Sequence, residues 1–199
     1  MPDTNRFTFS WCGPLVLAGV IGIAPARATP ASYTIDPDHT YPSFEGDHAG
    51  LSIWRGKMNR TTGSLVLDTT AHTGTVAIFI DVTSIDFGQA KLNAWAVGPD
   101  FFDAARYPQT TYRGRLTKFV QGRPTRVVGD LTLHGITKPV TLTIKSLACK
   151  PHPLLKREWC GADVLGTIRR DDFGLDAGKA YGFSMDVTLR IQVEAVRDE

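Results

Sequence analysis

Cysteine is scarce in this chain: there are three in 199 residues, and no two of them form a Cys-x-x-Cys pair. A dithiol redox centre or a zinc ribbon would need that spacing. The five histidines, His39, His48, His72, His134 and His152, lack the His-x-x-x-His repeat of a helical zinc site, which argues against a zinc enzyme. A hydrolase elbow is missing too, because Gly50-Leu51-Ser52-Ile53-Trp54 has no closing glycine. Asp171 and Asp172 directly follow Arg169 and Arg170 and read as an ion-paired turn rather than an acid/base pair. Charge of one sign is also lacking. The formal net charge is +2 and no run of Lys or Arg is long enough for a basic patch, so neither a nucleic-acid surface nor a polybasic membrane patch is expected. The one long apolar run, Leu15 to Ala24, is too short to span a bilayer, so no stable membrane insertion is expected.

That run follows Arg6 and precedes Ala26-Arg27-Ala28, a small-x-small cleavage pattern. Residues 1–28 therefore read as a secretory signal peptide, and residues 29–199 as a single exported domain large enough to bury a core. No lipobox cysteine follows the run, since Cys12 precedes it. Cleavage would leave Cys149 and Cys160 in an oxidising space, where a disulfide is expected across the Pro-rich segment Lys150 to Trp159. The competing reading is a pair of free thiols.

The rest of the chain is written in period two. Met185, Val187, Leu189, Ile191, Val193 and Ala195 alternate with polar residues, giving a strand with one wet face. Leu131 and Leu133, then Val140, Leu142 and Ile144, alternate on either side of a turn supplied by His134, Gly135, Lys138 and Pro139. Leu65 with Leu67, Val76 to Val82, Tyr112 to Phe119 and Ala162 to Ile168 add candidates, punctuated by glycines. Sequential antiparallel strands with short turns fit an up-and-down barrel or a sandwich. One segment breaks the rhythm. Residues 89–97 are rich in helix formers and end at Gly98-Pro99, which predicts a short helix, placed with Phe101-Phe102 to plug one end of the sheet.

Five blocks carry a resemblance to a known family: Tyr33-Thr34-Ile35-Asp36-Pro37-Asp38-His39-Thr40, Ser43 to Gly50, Phe101 to Pro108, Gly129 to Ile144, and Arg169-Arg170-Asp171-Asp172-Phe173-Gly174. In this order they resemble the YceI-like proteins over about Tyr33 to Val196. The resemblance implies an all-β, antiparallel, lipocalin-like barrel of about eight strands that carries an isoprenoid lipid in the periplasm. It implies a non-enzymatic binding protein with no required cofactor, whose bound molecule is a polyprenyl chain or a quinone. An apolar lipid is then the partner, and a homodimer through an edge strand stays open. The alternative is a quinone-linked redox accessory protein partnering a membrane cytochrome.

The wall of such a cavity is expected from Phe44, Trp54, Phe79, Phe87, Leu92, Trp95, Phe101, Phe102, Phe173 and Phe183, although burying large apolar side chains is also what ordinary cores do. Asn93, Arg169, Arg170 and Asp172 are candidates for its mouth, or else solvated turn residues. Gly46 and Asp47 stand where alternating apolar residues are expected, which predicts a weakened inward face for that strand.

Overall fold

Period-two segments pair antiparallel, and from residue 109 to residue 197 they do so in chain order. The structure, a computed structural model, describes residue 1 and residues 29–199. The expected leader thus lies, Met1 aside, outside the described residues. The strands are β1 (Ala31–Ile35), β2 (Tyr41–His48), β3 (Ser52–Met58), β4 (Thr61–Asp68), β5 (Thr73–Asp81), β6 (Ile85–Asp86), β7 (Gln109–Val120), β8 (Arg123–Leu133), β9 (Ile136–Pro151), β10 (Glu158–Arg169) and β11 (Asp186–Arg197). The one α-helix among the described residues, α1, spans Ala90–Ala96.

Neighbours follow the order β1, β4, β5, β7, β8, β9, β10, β11, and β11 pairs back to β1, closing an eight-stranded antiparallel barrel. Closure removes the free edges an open sheet would present. β2, β3 and β6 extend that wall upward. β2 continues β1 along β11, pairing Tyr41 with Gln192 and Gly46 with Val187. β3 pairs with β2, and its end meets β6 at Met58↔Ile85. The first three staves therefore each break once, at residues 36–40, 59–60 and 82–84, and the breaks are stitched. Thr40 Oγ1 and the Asp36 amide both donate to the Glu194 carbonyl, and the Asn59 amide donates to the Ser84 carbonyl.

The turn between β8 and β9 is tighter than the sequence suggests. Only His134 and Gly135 are outside the ladder, with φ of 51° and 74°, the left-handed pair of a two-residue hairpin. At Gly135 a Cβ would lie 2.5 Å from the Tyr107 ring, a second reason for glycine. Lys138 and Pro139 belong to β9, paired with Leu131 and Asp130. Proline fits there because β9 meets β10 only from Thr143 onward, which leaves that edge without a ladder partner.

One end of the barrel is filled by buried core side chains. Tyr33, Ile35, Leu67, Leu116, Cys160 and Ala195, each 8% exposed or less, close it. Cys149 and Cys160 are disulfide-bonded there. The bridge joins facing residues of the ladder near the base of the β9–β10 hairpin, two pairs in from its end at Pro151↔Glu158. Closing a loop of this length stabilises by about 3 kcal/mol in the chain-entropy account. Reductant is therefore expected to lower the melting temperature of the purified protein; an unchanged melting curve, with free thiols confirmed, would show that the bridge carries no stability.

Candidate functional site

The opposite half of the barrel is hollow. A cavity of about 600 Å³ runs from the barrel's middle to the end where α1 and the loops after β2, β8 and β10 gather. Parity selects its wall. On β11 Val187, Leu189, Ile191 and Val193 face in, on β5 Val76, Ile78 and Ile80, on β8 Val127, Leu131 and Leu133. The even-numbered face of β11 holds Arg190 and Glu194 among others, as the alternation in the sequence requires.

Aromatic side chains build the upper wall and rim. Phe44 meets Phe87 edge-on with ring centres 5.5 Å apart. Trp95 stacks on Phe101 at 5.0 Å, and Phe101 meets Phe102 edge-on at 4.7 Å, so the helix and the double aromatic do close one side of this end. Helix α1 is capped by the Gln89 side chain, whose oxygen accepts from the Leu92 amide. Asn93 braces it from below, accepting from the Phe87 amide and donating to Asp86. Across the mouth, His48 stacks on Trp54 with ring centres 3.9 Å apart and takes the edge of Phe183 at 4.6 Å. Trp54, Trp95 and Tyr181 line the cavity and are also 41%, 43% and 83% exposed, so its wall continues into an open apolar rim.

Among the described residues, Arg170 is the one arginine or lysine that lines this cavity. It begins the short 3₁₀ turn Arg170–Phe173, and its guanidinium donates to the carbonyls of Leu175, Ala177 and Ser184 at 2.7, 2.7 and 3.2 Å. It thereby ties down the strap 174–185 that covers one side of the mouth. Burial lowers its pKa below the usual arginine range. Tyr112, deeper in the wall, donates its hydroxyl to the Val140 carbonyl, and burial pushes its pKa up to about 12. A separate group on the outer surface, Asp36, His39 and Glu194, brings donor atoms within 4.8 Å of one another; there Asp36 already holds the His39 ring at 2.8 Å.

Of the ten wall candidates read from the sequence, Phe44, Trp54, Phe87, Leu92, Trp95, Phe101, Phe102 and Phe183 lie around the cavity. Phe79 and Phe173 do not. Phe79 has the wrong parity on β5 and sits outside under the Arg113 guanidinium, 5.2 Å away. Phe173, only 2% exposed, is buried behind the wall, its carbonyl accepting from His134 Nδ1 at 3.1 Å. Among the mouth candidates only Arg170 lines the cavity; Arg169 pairs with Asp171 and Asp186 outside, and Asp172 is exposed. The expected weak face of β2 is corrected: Pro42, Phe44, Gly46, Asp47 and His48 all line the cavity, and Gly46 widens its mouth instead of removing the strand from it. Strand β3 was missed altogether, because Gly56 interrupts the inward series Trp54, Met58 and makes the alternation hard to see.

Comparison with known proteins gives one answer. The sequence model of the YceI-like domain matches residues 33–195. A UPF0312 protein of Vibrio cholerae is 31% identical, covering 91% of this chain and 95% of its own, and Protein YceI of Escherichia coli is 32% identical, covering 86% and 90%. Among solved structures, BcnA of Burkholderia cenocepacia superposes with a TM-score of 0.64 over 80% of this chain and 98% of its own at 21% identity. A polyisoprenoid binding domain from Saccharophagus degradans does so at 0.59 over 83% and 98%, at 17% identity. Those two share the fold, while the match over residues 33–195 and the curated relatives decide the family: this chain belongs to the YceI-like proteins.

Proposed function

We propose that the protein is an exported, non-enzymatic carrier that holds one isoprenoid-type lipid, a polyprenyl chain or a quinone, in the barrel. The hollow, almost wholly apolar half of the barrel, open at an aromatic rim, carries this reading. A volume of about 600 Å³ lies within the range of small-molecule sites. Each methylene kept from water is worth roughly 0.8 kcal/mol, so a long chain gains from such a site without any chemistry. A polyisoprenoid binding domain shares the fold, which favours an isoprenoid over other apolar cargo. Export to the periplasm is supported by the leader pattern at residues 1–28 and by the Cys149–Cys160 bridge. No helix among the described residues is long and apolar enough to cross a membrane.

The test is mass spectrometry of an organic extract from protein purified without detergent. Near-stoichiometric recovery of one isoprenoid or quinone is the expected result. Protein that comes out empty, and then takes up none of a panel of polyprenols and quinones, would overturn the carrier reading.

A further inference from the structure

The end of the barrel away from the mouth carries positive charge that no run in the sequence shows, because folding assembles it from two hairpin tips. Residues 117–126, around the turn between β7 and β8, hold Lys118, Arg123 and Arg126 and no acidic residue. Residues 145–157, around the turn between β9 and β10, hold Lys145, Lys150, Lys156 and Arg157 and again no acidic residue. β8 pairs with β9, which sets the two tips side by side, and the Arg123 guanidinium donates to the Leu147 carbonyl at 3.3 Å. None of these cations is ion-paired among the described residues. The carboxylates around them are engaged: Glu158 accepts from the Tyr33 hydroxyl, Asp68 from the Thr70 and Ala71 amides, Asp163 from the Ser146 hydroxyl and Asp198 from the Thr34 hydroxyl.

The same tips present apolar side chains to solvent. Leu154 is 82% exposed, Val120 59% and Leu155 49%, and none of the three belongs to the core. The leucines stand on a fixed loop. The His152 amide donates to the Arg157 carbonyl at 2.7 Å, and the Lys156 amide donates back to the His152 carbonyl at 3.1 Å. His152 Nδ1 accepts from the Leu154 and Leu155 amides at 3.2 and 3.1 Å, and Lys156 turns the chain at φ 57°. Both leucine amides are therefore satisfied inside the protein and can leave water at little cost, which is what a lipid headgroup layer demands of a backbone that enters it.

Apolar tips inside a collar of cations match one kind of partner. At an anionic bilayer each Lys or Arg adds to the attraction of the surface, while the leucines reach the acyl boundary beneath the headgroups. A nucleic acid would use the charge and give the leucines no role. We infer that the β7–β8 and β9–β10 tips form a docking surface for an anionic phospholipid bilayer, on which the barrel stands with its aromatic mouth pointing away from the membrane. Docking of this kind is peripheral and needs no spanning segment. It goes beyond the carrier reading and does not depend on which cargo the cavity holds.

The test is co-sedimentation of the purified protein with vesicles of phosphatidylcholine and phosphatidylglycerol in equal parts, and with vesicles of phosphatidylcholine alone. Binding is expected to the anionic vesicles, falling as salt is raised. Lys150→Gln, Lys156→Gln, Arg157→Gln is expected to weaken it about a hundredfold, given the worth of each cation near such a surface. Leu154→Ser, Leu155→Ser is expected to weaken it about tenfold through the lost apolar burial. Leu51→Ser, at the mouth and 83% exposed, is expected to leave it unchanged. All three variants change side chains outside the core, and a melting curve on each checks the fold.

No sedimentation with anionic vesicles, or equal sedimentation with both kinds, would overturn the docking surface. So would loss in the Leu51 variant with none in the tip variants, which would move the contact to the mouth. Loss in the charge variant with none in the leucine variant would overturn the bilayer as partner and leave a surface for an acidic macromolecule. Each of these outcomes is separate from the fate of the carrier reading, which the organic extract decides.

Discussion

Phe173→Ala is expected to destabilise the protein by about 3–5 kcal/mol, the usual range for emptying a fully buried phenylalanine site. At 2% exposed, Phe173 is the largest of the fully buried side chains. It closes the 3₁₀ turn that Arg170 opens, and Gly174 after it, at φ 75°, redirects the chain into the strap. The lost ring therefore both leaves a void and loosens the turn from which Arg170 holds the Leu175, Ala177 and Ser184 carbonyls. Urea denaturation reads the loss. A change below about 1 kcal/mol would place this turn outside the cooperative core, since only surface substitutions are normally so mild.

Gly46→Trp is expected to leave the fold intact and slow uptake of an apolar ligand on the order of tenfold or more, as closing an entrance does. A Cβ at Gly46 would meet nothing within 4 Å, so the substitution is sterically free at its root. The indole would enter the cavity mouth opposite Trp54, its register partner on β3. Replacing a strand glycine should also raise stability slightly. Stopped-flow uptake of a fluorescent apolar probe, alongside a melting curve, separates the two effects. Unaltered uptake with the same melting temperature would show that ligands enter elsewhere.

How much of this was legible in the sequence depends on how cleanly period two was written. Residues 187–195 alternate without a break, and β11 follows them with Val187, Leu189, Ile191 and Val193 on the cavity. The helix at 89–97 announced itself through its formers and its Gly-Pro stop, and α1 fills 90–96. Phe79 misled because apolar residues fill both faces of Val76 to Val82, so the run does not reveal which parity faces in. Phe173 misled because an aromatic in a turn can be core without being cavity wall. Gly46 and Gly56 hid the upper wall, since a glycine facing inward looks like an absent apolar residue.

The position of the disulfide matters for more than stability. Cys160 lies nine residues along β10 from Arg169 at the mouth, about 30 Å at the usual rise of a strand. The covalent tie thus sits at the end opposite the aromatic rim, near Tyr33, Ile35 and Ala195, while the rim of Trp54, Trp95 and Tyr181 holds together without one. A change in thiol state would therefore act first on the β9–β10 end of the barrel, about 30 Å of strand away from the aromatic rim.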